Sequence, residues 1–139
     1  MTTHDLLPTA GYLAGDHVRL RDELGILTRS LSEELAVDEA ERQAWLSNLR
    51  RRGALGEHAD LEETVQALHR YLTWTASRLL CVALTDAVGD RAAQNQPGTI
   101  DEYPNWRVPL AGPDGSPVML EDVFTSARVA ALLDVVKPG

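Results

Sequence analysis

The segment Leu79–Leu84 reads LLCVAL: it carries no polar side chain, and it follows directly on an amphipathic helical pattern. A surface helix needs polar positions, whereas a strand buried on both faces reads as a short unbroken apolar run. Helix running into such a strand is the grammar of α/β folds. A parallel strand must pair with neighbours, and nothing else in the chain reads as its partner. The expectation is an α/β unit whose sheet lies outside these residues. Taken alone, the chain is expected to be mostly α-helical with one short strand.

The helices are marked by their caps. Asp60 and Glu63 form a capping box, and Leu61, Val65, Leu68, Leu72 and Ala76 recur on one face. Asp38 and Glu41 repeat the D-x-x-E pattern ahead of Ala40, Ala44, Trp45 and Leu49, with Val37 as a staple. Arg50, Arg51 and Arg52 before Gly53 then read as cations complementing a helix end. A short helix is read from Asp16 to Leu24 and a last one to Val136, capped by Thr125 or Ser126. The organisation is an irregular loop over 1–15, helices over 16–78, a strand over 79–84, a loop over 85–118 and a closing helix over 119–137. Turns are expected at Pro97-Gly98 and Pro113-Asp114-Gly115.

Charge and composition exclude several classes. A net charge of -8 argues against nucleic-acid binding and anionic membrane surfaces. No apolar run approaches the ~20 residues of a membrane span, and residues 1–15 lack a signal-peptide pattern. The single Cys81 makes no internal disulfide and sits in an apolar run, where a thiol is inert packing. Cytoplasmic localisation is expected. Neither His58 nor His69 has a second ligand at metal spacing, so no metal site is read. His69 and His58 are given structural or solvent roles, and Trp45 and Trp74 are assigned to packing.

Two stretches add chemistry that spacing alone does not. The first is Thr3-His4-Asp5 with Pro8-Thr9-Ala10-Gly11-Tyr12. The second is Asn95-Gln96-Pro97-Gly98-Thr99 with Asp101-Glu102-Tyr103-Pro104-Asn105-Trp106-Arg107. Together they resemble the T-H-D-L-P-T-x-G-Y and N-x-P-G-T…E-Y-P-N-W-R segments of the 4-alpha-glucanotransferases. These are the amylomaltases, or disproportionating enzymes, of glycoside hydrolase family 77 in the α-amylase superfamily. Leu7 departs from the more usual Pro. The resemblance covers essentially the whole chain, and only the C-terminal portion of a several-fold longer family sequence.

The resemblance implies a fragment of a (β/α)8 TIM barrel, which works at the C-terminal ends of its strands. Strand 7 would end just before Thr2-Thr3, Leu79–Leu84 would be strand 8, and the closing helices would follow. The implied reaction moves a segment of a 1,4-alpha-D-glucan to a new 4-hydroxyl, on glucose or another glucan, without metal or cofactor. It is a retaining mechanism with a nucleophile and an acid/base carboxylate ~5 Å apart. Asp5 matches the family's third carboxylate, which holds hydroxyls of the distorted sugar and stabilises the oxocarbenium-like transition state. His4 matches a histidine that hydrogen-bonds the same sugar. Asn95, Pro97, Gly98 and Thr99 either touch the donor sugar or shape the turn after strand 8. Trp106 either stacks on sugar or plugs the side of the barrel, and Tyr12 is open between contact and packing. Glu102 adjoins a matching motif that does not carry the family's proton donor.

The nucleophile and acid/base segments have no counterpart here, so the isolated chain is expected to be inactive without the rest of the barrel. The substrates implied are maltooligosaccharides and alpha-1,4-glucans. The alternative is a non-catalytic truncated remnant, or an accessory glucan-binding or interaction module.

Overall fold

A computed structural model describes Thr3 and residues 5–137. Among them seven helices follow in order: α1 (Thr9–Leu13), α2 (Asp16–Glu23), α3 (Leu31–Arg51), α4 (Leu61–Thr73), α5 (Leu84–Val88), α6 (Leu120–Thr125) and α7 (Ala127–Val136). No helix among the described residues is long and apolar enough to cross a membrane.

α4 organises the rest. Its cap is the one expected: Glu63 N–H donates to Asp60 Oδ1 at 2.8 Å, and Asp60 N–H donates back to Glu63 Oε2 at 2.9 Å. Val65 joins Ala10, Ala87, Val88, Val123, Val129 and Leu132 in one core cluster. Ala67 and Leu68 join Leu49, Ala54 and Leu55 in a second. Leu13 of α1 packs against both clusters, so α1 is wedged between the two halves of the core. Replacing Asp60 with Ala removes the α4 cap and is expected to cost about 1 kcal/mol, while Asp60→Asn should cost much less. The denaturant midpoint, at unchanged slope, measures the difference.

α3 starts earlier than the D-x-x-E pattern implied. Ser30 caps it, and Ser30 and Glu33 form the reciprocal box. The residues between are good helix formers, so the helix propagates through Asp38. Asp38 lies within α3, buried, paired with Arg42 and 2.9 Å from His17 Nε2. The end is as read: Ala54 N–H reaches Leu49 O at 2.9 Å and Gly53 N–H reaches Arg50 O at 2.9 Å, a Schellman closure.

The strand expected over 79–84 is not formed. Residues 79–83 are irregular, Leu79 is 91% exposed, Cys81 is exposed, and Leu84 opens α5. The physical reason is pairing: a strand needs a neighbour's backbone for its N–H and C=O groups. Among the described residues the only bridge joins Ala111 and Pro117. Of residues 79–83, Val82 packs on the core, and Cys81 is not the buried packing residue expected.

Three smaller differences follow. The 1–15 segment is not wholly irregular, because α1 forms within it, and the 85–118 loop opens with the rest of α5. The closing segment is two helices, with Ser126 capping α7 by accepting from Val129 N–H at 3.4 Å. Ile100 and Phe124, 82% and 80% exposed, leave apolar surface uncovered within this chain.

Candidate functional site

Asp5 sits in a turn closed by Leu6 N–H to Thr3 O at 3.1 Å, on the exposed approach to α1. Pro8 precedes the helix and offers no side-chain cap. The capping group comes from α5 instead: Asp86 Oδ1 accepts the Thr9 amide at 2.6 Å, and Asp86 Oδ2 accepts the Thr9 hydroxyl at 2.8 Å. Gly11 explains itself by close approach, since a Cβ there would run into the carbonyl oxygen of Arg91. The small residue of the first motif thus seats α1 against the loop that carries the second.

That second loop is braced by its own signature residues. Gln96-Pro97-Gly98-Thr99 turns with Thr99 N–H on Gln96 O at 3.3 Å, and Gly98 adopts φ 88°, as the third position of such a turn requires. Asn105 Oδ1 accepts Gln96 N–H at 2.7 Å, and Asn105 Nδ2 donates to Thr99 Oγ1 at 2.9 Å. Tyr103 donates its hydroxyl to Ala93 O at 2.7 Å, and Trp106 N–H donates to Gln94 O at 2.8 Å. The Tyr-Pro-Asn-Trp segment is therefore a clamp on residues 93–99. Loosening it with Asn105→Ala should raise hydrogen exchange across 94–99 by about five-fold, since one lost bond of this kind nets about 1 kcal/mol. Exchange elsewhere should stay level.

The two motifs meet. Asn95 Nδ2 donates to Asp5 Oδ1 at 2.8 Å, across 90 residues of sequence. Beside this contact opens a cleft of about 800 Å³, whose lining includes Asp5, Pro97, Gly98, Tyr12, His17 and Trp45. Its size suits a small-molecule site. His4 lies outside the described residues.

Tyr12 stacks on His17 with ring centroids 5.1 Å apart. Burial, and after it the Glu41 and Asp38 carboxylates, push the Tyr12 hydroxyl above its usual titration range. It stays protonated at neutral pH. Trp45 is 39% exposed and lines the cleft, a position that its helical spacing in α3 did not distinguish from packing. Trp106 is exposed, is not among the cleft's lining residues, and holds a left-handed backbone at φ 61°. Glu102 accepts Ile100 N–H at 2.7 Å, which holds its carboxyl below the usual range. An ionised carboxylate of that kind is no proton donor at neutral pH. No group of three metal-ligating side chains occurs among the described residues.

Behind the site lies a buried set the sequence did not announce. His69 and Asp86 are each 1% exposed, with His69 Nε2 3.4 Å from Asp86 Oδ2 and His69 Nδ1 2.9 Å from Val65 O. Burial acts to raise the Asp86 carboxyl; the nearby His69 ring and the bond from the Thr9 amide are among the influences that lower it, and the net direction is downward from the usual carboxylate range.

Comparison with known proteins places this geometry. The 4-alpha-glucanotransferase family profile, glycoside hydrolase family 77, matches residues 1–114. The 4-alpha-glucanotransferase of Mycobacterium bovis is 63% identical over 139 residues, covering 99% of this chain and 19% of that protein. The Haemophilus influenzae 4-alpha-glucanotransferase is 30% identical over 120 residues, covering 80% of this chain and 17% of its own length. The crystal structure of amylomaltase from Corynebacterium glutamicum superposes with a TM-score of 0.89 at 38% identity, over 99% of this chain and 21% of that one. The chain belongs to the 4-alpha-glucanotransferase family. It spans about one fifth of the length of these relatives and matches a C-terminal portion of the enzyme.

Proposed function

We propose that this chain supplies the transition-state-stabilising carboxylate, Asp5, to a retaining 4-alpha-glucanotransferase that disproportionates maltooligosaccharides and other alpha-1,4-glucans in the cytoplasm. The observation that carries the reading is the Asn95–Asp5 hydrogen bond at the edge of the cleft. It joins the two family motifs at one place. A side-chain amide on one carboxylate oxygen fixes the carboxylate's orientation. A fixed anion beside an oxocarbenium-like centre lowers the barrier without reorganising.

His4 would bond the same sugar. Pro97 and Gly98 would lie over it, and Trp45 and Tyr12 offer aromatic faces along the cleft. The chain would form part of a (β/α)8 barrel whose strands lie in the remainder of the enzyme. The nucleophile and the acid/base carboxylate would come from that remainder. In chemical terms, the nucleophile would take the glycosyl group and the acid would protonate the departing oxygen. A glucan 4-hydroxyl would then attack the covalent intermediate, giving up its proton to the same carboxylate.

The test is incubation of the full-length protein with maltotriose. Glucose and a ladder of longer maltooligosaccharides are expected, with reducing ends conserved. A rise in reducing ends without a ladder would mean hydrolysis, and an unchanged substrate would set the transferase reading aside.

A further inference from the structure

We propose that Asp86, through its bonds to Thr9, is a positioning residue for the Asp5 carboxylate; the inference rests on the glucan-transfer reading of Asp5. Asp86 stands on α5, and α5 leads directly into the loop that carries Asn95. Its two oxygens hold the amide and hydroxyl of Thr9, the first residue of α1, just past the turn that presents Asp5. The ties between the Asp5 loop and the Asn95 loop include an exposed one, Asn95 to Asp5, and a buried one, Asp86 to Thr9.

An amide–carboxylate bond at an exposed position competes with water and holds a loop only weakly. The buried tie does not face that competition. Asp86 and His69 are each 1% exposed and Thr9 is 5% exposed. His69, on α4, packs its ring beside Asp86 with Nε2 3.4 Å from Oδ2 and bonds Val65 O through Nδ1, so the buried contact reaches the central helix of the fold. Pro8, directly before Thr9, has a fixed φ and removes one degree of freedom between Thr9 and the turn. Small displacements of a reacting group are costly: about 1 Å can lower turnover on the order of 10²-fold.

The test is made in the full-length protein with Thr9→Val, which keeps the shape and loses the hydroxyl bond, and Thr9→Ser, which keeps the bond. Expected for Thr9→Val is a fall in kcat for maltotriose of about ten-fold or more, with KM within about two-fold. Thr9→Ser should restore kcat to near wild type. Leu55→Ala, in the other core cluster, supplies a matched loss of stability and should leave kcat unchanged. A second readout does not need activity: hydrogen exchange in a peptide covering residues 3–7 should quicken in Thr9→Val and not in Thr9→Ser. Unchanged kcat and unchanged exchange in Thr9→Val would overturn the positioning role. A wild-type protein that transfers no glucan would remove the reading of Asp5, while the exchange comparison would still decide whether Asp86 holds its loop.

Discussion

In the full-length protein, Asp5→Asn is expected to lower kcat for maltotriose disproportionation by on the order of 10²- to 10³-fold, with little change in unfolding midpoint. The substitution keeps the size of the side chain and still offers an oxygen to the Asn95 amide. What it removes is the fixed negative charge. A preorganised charge opposite a developing oxocarbenium centre contributes most at the transition state, so the loss falls on kcat more than on KM. Asp5 is exposed, and a size-conserving substitution at an exposed position should barely move stability. A variant with near-normal kcat would remove Asp5 from the reaction.

The second large effect belongs to Asp86. Asp86→Ala leaves the Thr9 amide, the Thr9 hydroxyl and His69 facing a cavity in the core. Removing one partner of a buried charged set costs about 3–5 kcal/mol, a large part of the stability of most domains. Asp86→Asn should cost less, because one oxygen still accepts from Thr9.

The pH dependence follows from the direction of the shift. The native Asp86 carboxyl is held below its unfolded value, near 3.9 for an ordinary Asp. The stabilisation it gives is complete above that value and is lost as pH falls below it toward the native one. The stability gap between wild type and Asp86→Asn should therefore be constant at neutral pH and narrow below about pH 4. Urea unfolding at stepped pH measures it. A gap that widens on acidification would contradict the assignment.

Much of the site could be read in the residues, and its supports could not. The words T-H-D, N-x-P-G-T and Y-P-N-W name side chains whose types carry chemistry, and Asn95 and Asp5 do come together. The clamp by Tyr103, Asn105 and Trp106 on residues 93–99 is tertiary bonding, with no periodicity that a linear reading detects. The same holds for His69 and Asp86, which sit on different helices and share no motif.

The fold was legible where local physics decides it. The Asp60 box and the stop at Gly53 work through neighbours within one turn. Two D-x-x-E or S-x-x-E boxes competed for the start of α3, and the upstream one, Ser30 with Glu33, prevailed because good helix formers connect them. Leu79–Leu84 has the composition of a buried strand, but strand formation depends on a partner backbone rather than on the segment itself. Composition alone could not supply one.

The most direct measurement is a crystal structure of the full-length Asp5→Asn protein soaked with maltoheptaose. A glucan in the cleft is expected, with a sugar hydroxyl within hydrogen-bonding distance of residue 5 and the Pro97–Gly98 turn against the same ring. A glucan bound elsewhere, with the cleft beside residue 5 filled by another part of the protein, would contradict the account.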